Sequence, residues 1–376
     1  MKPVRAFAPG RSELAGNHTD HQGGRVIAAA VDCGVEVELM PNDTHVARLS
    51  SEGFAPVEMD VRLLAARDEE RGTTAALMRG VIAGLGALGI EVPGFSARAT
   101  STVPPGGGLS SSAAFELALA SAIVEAAGAP ALDAVVLAKV GQAAERDYFG
   151  KPCGLMDQLA VALGGIAAID FSDEGEPAIE QVSFDLESTG YALCLIDTHC
   201  DHSRYTDDYA QVALDMFAVA EFFGTDRLCQ VPENAFLDRL EDVRAALGDI
   251  CALRTLHYYN ENRLVDERAE ALKNGDFARF LECTRRSAAS SAAYLQNVST
   301  ADRKSQPAMV VLALADTLLE GEGAVRIHGG GFGGTVQAFV PRDRLERFAS
   351  GMDAHLGEGS CKAYDIYGKG AQALCL

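Results

Sequence analysis

The sequence lacks several features that would place it in common protein classes. It has no apolar run of about 18 residues free of charge, so no transmembrane helix is expected, and residues Met1 to Pro9 lack the apolar core of a signal peptide. It has no Cys-x-x-Cys pair, and its 9 cysteines are an odd number, which predicts neither a disulfide framework nor a zinc site. Reduced, buried thiols in a cytoplasmic protein are the simplest interpretation.

Basic residues are scarce as well. Lys and Arg number 32 against 53 Asp and Glu, which gives a formal net charge of −21. Because phosphate backbones and anionic lipid surfaces repel an acidic protein, we expect neither nucleic acid nor a membrane as a partner. A nucleotide held locally by Mg²⁺ and backbone amides is compatible with this charge. The charge also favours a monomer.

The 376 residues suffice for about two domains. Short apolar runs alternate with longer segments of helical periodicity, which predicts an α+β or mixed α/β protein. Predicted strands cover 26–39, 95–102, 166–171, 191–197, 325–327 and 336–340, and predicted helices cover 75–88, 111–127, 132–149, 205–223, 253–273, 277–295 and 309–318. The acidic, Gly- and Pro-containing stretch 172–177 marks the predicted boundary between a domain of residues 1–175 and one of residues 176–376.

A glycine- and serine-rich stretch follows one predicted strand and opens a predicted helix. Glycines let a backbone approach a ligand closely, and a helix start offers unpaired N–H groups and partial positive charge to phosphate. No lysine follows the glycines, so the stretch is not a Walker A loop. A plain turn with a serine N-cap is the alternative. The candidate phosphate-binding residues are Gly106, Gly107, Gly108, Leu109, Ser110, Ser111 and Ser112.

Polar residues crowd between glycines in the stretch from Ala8 to Gly24, PGRSELAGNHTDHQGG from Pro9 onward. Asp accepts hydrogen bonds from two hydroxyls, and Asn and His both donate and accept, so the stretch suits a polyhydroxylated ligand. A metal site built from His18, Asp20 and His21 is the alternative, but it would need a further ligand from elsewhere in the chain.

A third glycine-rich stretch, HGGGFGGT from His328 to Thr335, lies between two predicted strands. A dinucleotide site of the Rossmann type would need a helix after the glycines, and a strand follows here. We expect either close approach of this backbone to another group or a tight hairpin.

Together, these three stretches resemble the galactokinase family of the GHMP small-molecule kinases, and the resemblance covers nearly the whole chain. A fourth match is Glu145 followed twelve residues later by Asp157 within CGLMDQ. The resemblance implies a two-domain α+β GHMP architecture, with an N-terminal domain like domain 2 of ribosomal protein S5 and a ferredoxin-like C-terminal domain. The active site would lie in the cleft between them, and the loop 328–334 would face it.

The resemblance also implies the reaction: transfer of the ATP γ-phosphoryl group to the anomeric hydroxyl of galactose. Asp157 matches the family's proposed general base and Arg11 its catalytic arginine. Glu145 matches the Mg²⁺ carboxylate, with Ser112 or Ser111 as its partner. Residues 106–112 would cradle the phosphates of ATP.

The sugar-contacting positions of the family match Asn17, His18, Asp20, Gly154 and, more loosely, Tyr209. At Asn17 the family usually has Glu, which faces the 6-position of the sugar, and at His21 many members have Tyr. Loss of a carboxylate at Asn17 makes galacturonate an alternative substrate, beside N-acetylgalactosamine and arabinose. A non-catalytic sugar sensor is a further alternative, although Arg11 and the other catalytic positions are all present.

Overall fold

The computed structural model describes residues 2–104, 106–173, 175–200 and 205–374, and these residues form twelve strands and eleven α-helices. The strands are β1 (Val4–Ala15), β2 (Arg25–Asn42), β3 (Val46–Ser51), β4 (Val57–Asp60), β5 (Gly94–Ser101), β6 (Ile166–Asp170), β7 (Ala178–Val182), β8 (Tyr191–Asp197), β9 (Ala324–His328), β10 (Thr335–Pro341), β11 (Cys361–Tyr364) and β12 (Gln372–Leu374). The helices are α1 (Thr74–Ala87), α2 (Ser111–Ala126), α3 (Ala134–Ala143), α4 (Met156–Leu163), α5 (Thr206–Phe222), α6 (Glu233–Asp238), α7 (Leu240–Leu247), α8 (Asp249–Lys273), α9 (Phe277–Ser290), α10 (Pro307–Leu319) and α11 (Leu345–Leu356).

The larger sheet is mixed and has the order β12-β1-β2-β5-β3-β4, with β6 against β2 and β7 against β6. In β2, Val35, Val37 and Leu39 are buried while the intervening glutamates face outward, as the alternating sequence predicts. The β1–β2 register shifts between Pro9 and Gly10 and again between Glu13 and Ala15. Such irregularities bend a strand and re-aim its side chains, and these two flank Arg11.

Helix α2 packs against β1 and β2 and is buried nearly all round, as its uniformly apolar sequence predicts. Burial of side chains such as Leu117 and Leu119 contributes about 1.5–3 kcal/mol each. The helix therefore cannot rotate or slide freely, and its first turn is held in a fixed position at the end of the glycine-rich loop.

The smaller sheet is antiparallel, with the order β11-β8-β10-β9, and α10 and α11 pack on it around a separate apolar core. Helices α5, α7 and α8 enclose a third core. Helix α8 also packs against β1, β2 and β7, which joins this helical layer to the larger sheet. None of the helices in the described ranges is long and apolar enough to cross a membrane.

The predicted elements all form, and the differences lie at their ends and between them. The segments 132–149 and 277–295 each end in a π-helical turn, Ala144–Phe149 and Ser291–Leu295, instead of continuing as α-helix. No strand is predicted in the polar stretch from Ala8, but its first half belongs to β1, where its polar side chains find buried partners. The predicted boundary at residue 175 falls between β6 and β7, which pair in one sheet, and the division into two domains there stays a prediction.

Candidate active site

Arg11 and Asp157 form an ion pair at the centre of the candidate site. The Arg11 Nε atom donates to Asp157 Oδ1 over 2.7 Å, and Arg11 Nη1 donates to the carbonyl of Gly108 over 2.5 Å. The backbone N–H of Arg11 donates to the carbonyl of Leu109 over 3.1 Å. Strand β1 and the glycine-rich loop are thereby joined directly beside the carboxylate.

Asp157 stands in the first turn of α4 and accepts a second hydrogen bond, from Ser110 Oγ over 2.5 Å. Burial raises the pKa of this carboxyl, but the charge and hydrogen bond of Arg11, with Lys151 and Ser110, lower it by more, to about 2. Asp157 is therefore ionised at any pH at which an enzyme of this kind is assayed.

The glycine-rich loop reaches α2 through left-handed backbone conformations. Gly106 and Gly108 have φ of 72° and 66°, and Ser110, which lacks that freedom, has φ of 54°. A Cβ atom at Gly108 would lie 2.7 Å from Thr335 Oγ1, so only glycine fits at that position. In this strained conformation the Ser110 hydroxyl donates to Asp157 and does not cap the start of α2. Pro105 lies outside the described residues.

Glu145, on the π-helical turn after α3, is the second buried carboxylate of the site. Ser112 Oγ and Lys151 Nζ both donate to its Oε1 atom over 2.9 Å, and Gln158 Nε2 donates to Oε2 over 2.7 Å. Burial lowers the pKa of the Lys151 ammonium, but Glu145 and Asp157 raise it by more, so it stays charged. Ser112 and Glu145, the predicted metal ligands, therefore meet at one oxygen.

Asp20 lies against Gly154, since a Cβ atom at Gly154 would lie 2.6 Å from Asp20 Oδ2. Burial and the nearby charge of Asp157 raise the pKa of Asp20 to about 6. These two predicted sugar contacts thus adjoin Asp157, although Asp20 and Gly154 are distant in the sequence.

His18 is fixed in one tautomer by its neighbours. Its Nε2 atom lies 3.0 Å from the carbonyl of Gly330 and must donate to it, which leaves Nδ1 to accept from His21 Nε2 at 3.4 Å. Burial and the neighbouring His21 lower the pKa of His18 to about 3, so the ring is neutral. The ring of Tyr209, half exposed on α5, lies 5.3 Å from that of His18.

Asn17 is fully buried, and its amide is committed to other parts of the chain. Its Nδ2 atom donates to the carbonyl of Gly329 over 2.7 Å, and Oδ1 accepts from Asn297 Nδ2 over 2.8 Å and from Ser291 Oγ over 3.3 Å. Asn17 thereby ties the N-terminal stretch to the third glycine-rich stretch.

The third glycine-rich stretch packs against β1 and the loop before α2. His328 Nε2 lies 3.1 Å from Ser12 Oγ and accepts the N–H of Glu13 over 3.3 Å, while its Nδ1 atom lies 2.8 Å from Thr335 Oγ1. The stretch is therefore more than a tight hairpin, because it also contacts β1. Strand β1, which carries Arg11, is thus contacted both by this stretch and by the loop before α2.

The structure thus brings Arg11, Gly108, Ser110 and Asp157 together and sets Ser112 against Glu145. Asp20 and Gly154 lie next to this group, and His18 and Tyr209 lie together at the third glycine-rich stretch. The assigned roles of these residues stay predictions.

Sequence reasoning missed Lys151, Gln158 and Asn297. Only Gln158 carried a signal, since it follows Asp157 directly in the motif.

Two other observations bear on the site. Within the described ranges, no three His, Cys, Asp or Glu side chains lie close enough to hold a metal ion, so the alternative metal site at His18, Asp20 and His21 gains no support. A cavity of about 770 Å³ lies elsewhere, lined by Tyr191, Phe277 and Arg285 among others, and none of the predicted site residues lines it.

Comparison with known proteins defines the class. The model of the GHMP kinases N terminal domain matches residues 75–165, and the galactokinase galactose-binding signature matches residues 1–41. A crystal structure of Lactococcus lactis galactokinase complexed with galactose superposes with a TM-score of 0.84 at 23% identity, over 99% of this chain and 95% of that one. The fold is that of the GHMP kinases, as the resemblance implied.

Closer relatives define the family within that class. Galactokinase of Streptomyces coelicolor is 33% identical over 364 residues, which cover 96% of this chain and 90% of that protein. Galactokinase of Mycobacterium tuberculosis is 31% identical over 353 residues, covering 91% and 90%. The chain belongs to the galactokinase family.

Proposed function

We propose that this protein is a galactokinase, which transfers the γ-phosphoryl group of ATP to the anomeric hydroxyl of galactose and yields galactose 1-phosphate and ADP. The observation that carries the proposal is the Asp157 carboxylate, held by Arg11 and Ser110 beside the start of α2. When a hydroxyl attacks a phosphoryl group, an ionised carboxylate must be near enough to accept the hydroxyl proton. Asp157 is such a carboxylate, and it lies next to the helix start that would bind the phosphates.

Asp157 accepts the proton of the anomeric hydroxyl in this mechanism. With a pKa of about 2 it is a weak base, so it orients the hydroxyl in the ground state and takes the proton late, once bonding to phosphorus acidifies the oxygen. Phosphoryl transfer tolerates this timing because its transition state is loose and develops little charge on the attacking oxygen. Arg11 keeps Asp157 ionised and adds positive charge near the attacking oxygen.

Residues 106–112 and the first turn of α2 would bind the phosphates through backbone N–H groups. Ser112 and Glu145 are hard oxygen donors that meet over 2.9 Å, which suits Mg²⁺, and two protein ligands leave positions for phosphate and water. The Lys151 ammonium donates to the same Glu145 oxygen and would have to move away for the ion to bind there. Ser112 and Glu145 would hold the ion, which when bound neutralises charge on the phosphates. Ser111 is exposed at the same helix start and is the alternative ligand.

Asn17, His18, Asp20, Gly154 and Tyr209 are the proposed sugar contacts. The case for galacturonate depends on Asn17 facing the 6-position of the sugar. Its buried amide donates to Gly329 and accepts from Asn297, so the parallel assay of sugars decides between galactose and galacturonate. The complete set of catalytic side chains argues against a non-catalytic sensor. A monomeric, cytoplasmic protein stays our prediction from the composition.

The test is ADP release from Mg·ATP with galactose, galacturonate, N-acetylgalactosamine and arabinose in parallel, for wild type and Asp157→Asn. We expect a clear preference for galactose, and loss of at least a hundredfold in turnover for the variant with ATP binding retained. Preference for another sugar would keep the mechanism and change the substrate. Sugar binding without turnover on any of them would establish the sensor.

A further inference from the structure

Lys151 is a charged residue in the site that the mechanism above does not use. It lies in the loop between the π-helical turn of Glu145 and helix α4, which begins with Met156 and Asp157. The backbone N–H groups of Gly150 and Lys151 donate to the carbonyl of Glu145 over 3.0 and 3.1 Å. The loop is thereby folded back over Glu145, and the origin of the Lys151 side chain is fixed.

The direction of this side chain is unusual for a lysine. A surface lysine ordinarily buries its stem and extends its ammonium into water. Lys151 departs from this pattern: its side chain is 55% exposed, yet its ammonium contacts the Glu145 side chain, which is 1% exposed. The contact directs the positive charge toward the site.

The Lys151 ammonium lies close to the first turn of α2. Lys151 Nζ and Ser112 Oγ donate to the same oxygen of Glu145, each over 2.9 Å, and Ser112 stands in the first turn of α2. Two hydrogen bonds that share one oxygen of Glu145 thus link the ammonium to the helix start, which is the proposed binding place of the phosphates. Residues 106–112 contain no Lys or Arg, and Arg11 is already engaged by Asp157.

We propose that Lys151 binds the terminal phosphates of ATP, and that Glu145 holds its ammonium ready for them. The inference rests on the proposed function, since it assumes that ATP occupies the loop before α2. The flexible stem of a lysine can carry the ammonium from the carboxylate to a phosphate oxygen without movement of the backbone. Lys151 then supplies the positive side chain that the glycine-rich loop itself lacks.

The proposal is tested by binding of ATP and of AMP in EDTA, measured by isothermal titration calorimetry, so that no metal takes part. The variants are Lys151→Met, Glu145→Gln and the double variant, with Lys139→Met as a control at an exposed lysine that contacts the carbonyl of Gly175. We expect Lys151→Met to weaken ATP binding about tenfold and AMP binding less than twofold. Glu145→Gln should tighten ATP binding, because it releases the ammonium.

The double variant separates a phosphate contact from an indirect effect. If Lys151 binds phosphate, its replacement weakens ATP binding in the Glu145→Gln background as well. The proposal is wrong if the effect disappears in that background, or if ATP and AMP lose affinity equally. Lys151→Arg should restore ATP binding, which excludes a general loss of structure. Failure of wild type to phosphorylate galactose would count against the proposed function, whereas normal turnover with no ATP-specific loss would count against Lys151 alone.

Discussion

Replacing Arg11 by methionine is expected to bring the titration of Asp157 into the range of an activity assay. The two side chains are 10% and 23% exposed and joined over 2.7 Å, so their charges attract in a partly desolvated site. With charge centres about 4 Å apart and an effective dielectric constant of about 20, the attraction is about 4 kcal/mol. Its loss increases the proton affinity of Asp157 by about a thousandfold.

A change of that size moves the titration of Asp157 from about pH 2 to about pH 5. Because the carboxylate must be ionised to accept a proton, turnover of the variant at saturating galactose and Mg·ATP should fall as the pH drops through this region. Wild type should show no such fall from Asp157. The assay is the pH dependence of kcat from ADP release, which reports groups in the enzyme–substrate complex.

Arg11→Lys is the matched control, since it keeps the charge and loses the forked geometry. It should lower kcat at all pH values without adding an acid limb. Identical pH profiles for the two variants would show that the charge of Arg11 has no part in keeping Asp157 ionised.

Three further predictions concern the neighbours of Asp157. Ser110→Ala removes the 2.5 Å hydrogen bond to its carboxylate and should lower kcat about tenfold while the KM for ATP stays nearly constant, as steady-state kinetics would show. Gly154→Ala places a Cβ atom 2.6 Å from Asp20 Oδ2. Because the Asp20 carboxylate is the end of a flexible side chain and can rotate away, the Tm should hardly change, whereas the KM for galactose should rise about tenfold. Because the pKa of Asp20 is about 6, protonation below that pH should raise the KM for galactose, and Asp20→Asn should flatten this dependence at a uniformly high KM.

The parts of the fold that could be predicted are those set by local pattern. The buried helix α2 follows from a sequence that is apolar all round, and β2 from its alternation of apolar and acidic residues. The position of the glycine-rich loop before α2 follows from composition and from the helical periodicity that comes after it, and its role in binding phosphate stays a prediction. Strand β1 was missed, because Arg11 and its polar neighbours are satisfied by partners that no local pattern contains.

The parts that could not be predicted are contacts between distant segments. Arg11 and Asp157 are 146 residues apart, and only their match to a known family joined them before the structure did. Asn17 is a second example: no local pattern predicts its hydrogen bond with Asn297, 280 residues away, and its role as a sugar contact stays a prediction. Lys151 could not be singled out from the sequence, because the direction of its ammonium depends on the tertiary position of Glu145.

We propose that the site transfers phosphate to the anomeric oxygen of galactose, and the product identifies that oxygen directly. The measurement is ³¹P and ¹H nuclear magnetic resonance of the mixture formed by the protein, Mg·ATP and galactose. We expect one phosphate ester for each ADP, with its phosphorus coupled to the anomeric proton. An ester on any other hydroxyl, or ADP formed without a sugar ester, would rule out transfer to the anomeric oxygen.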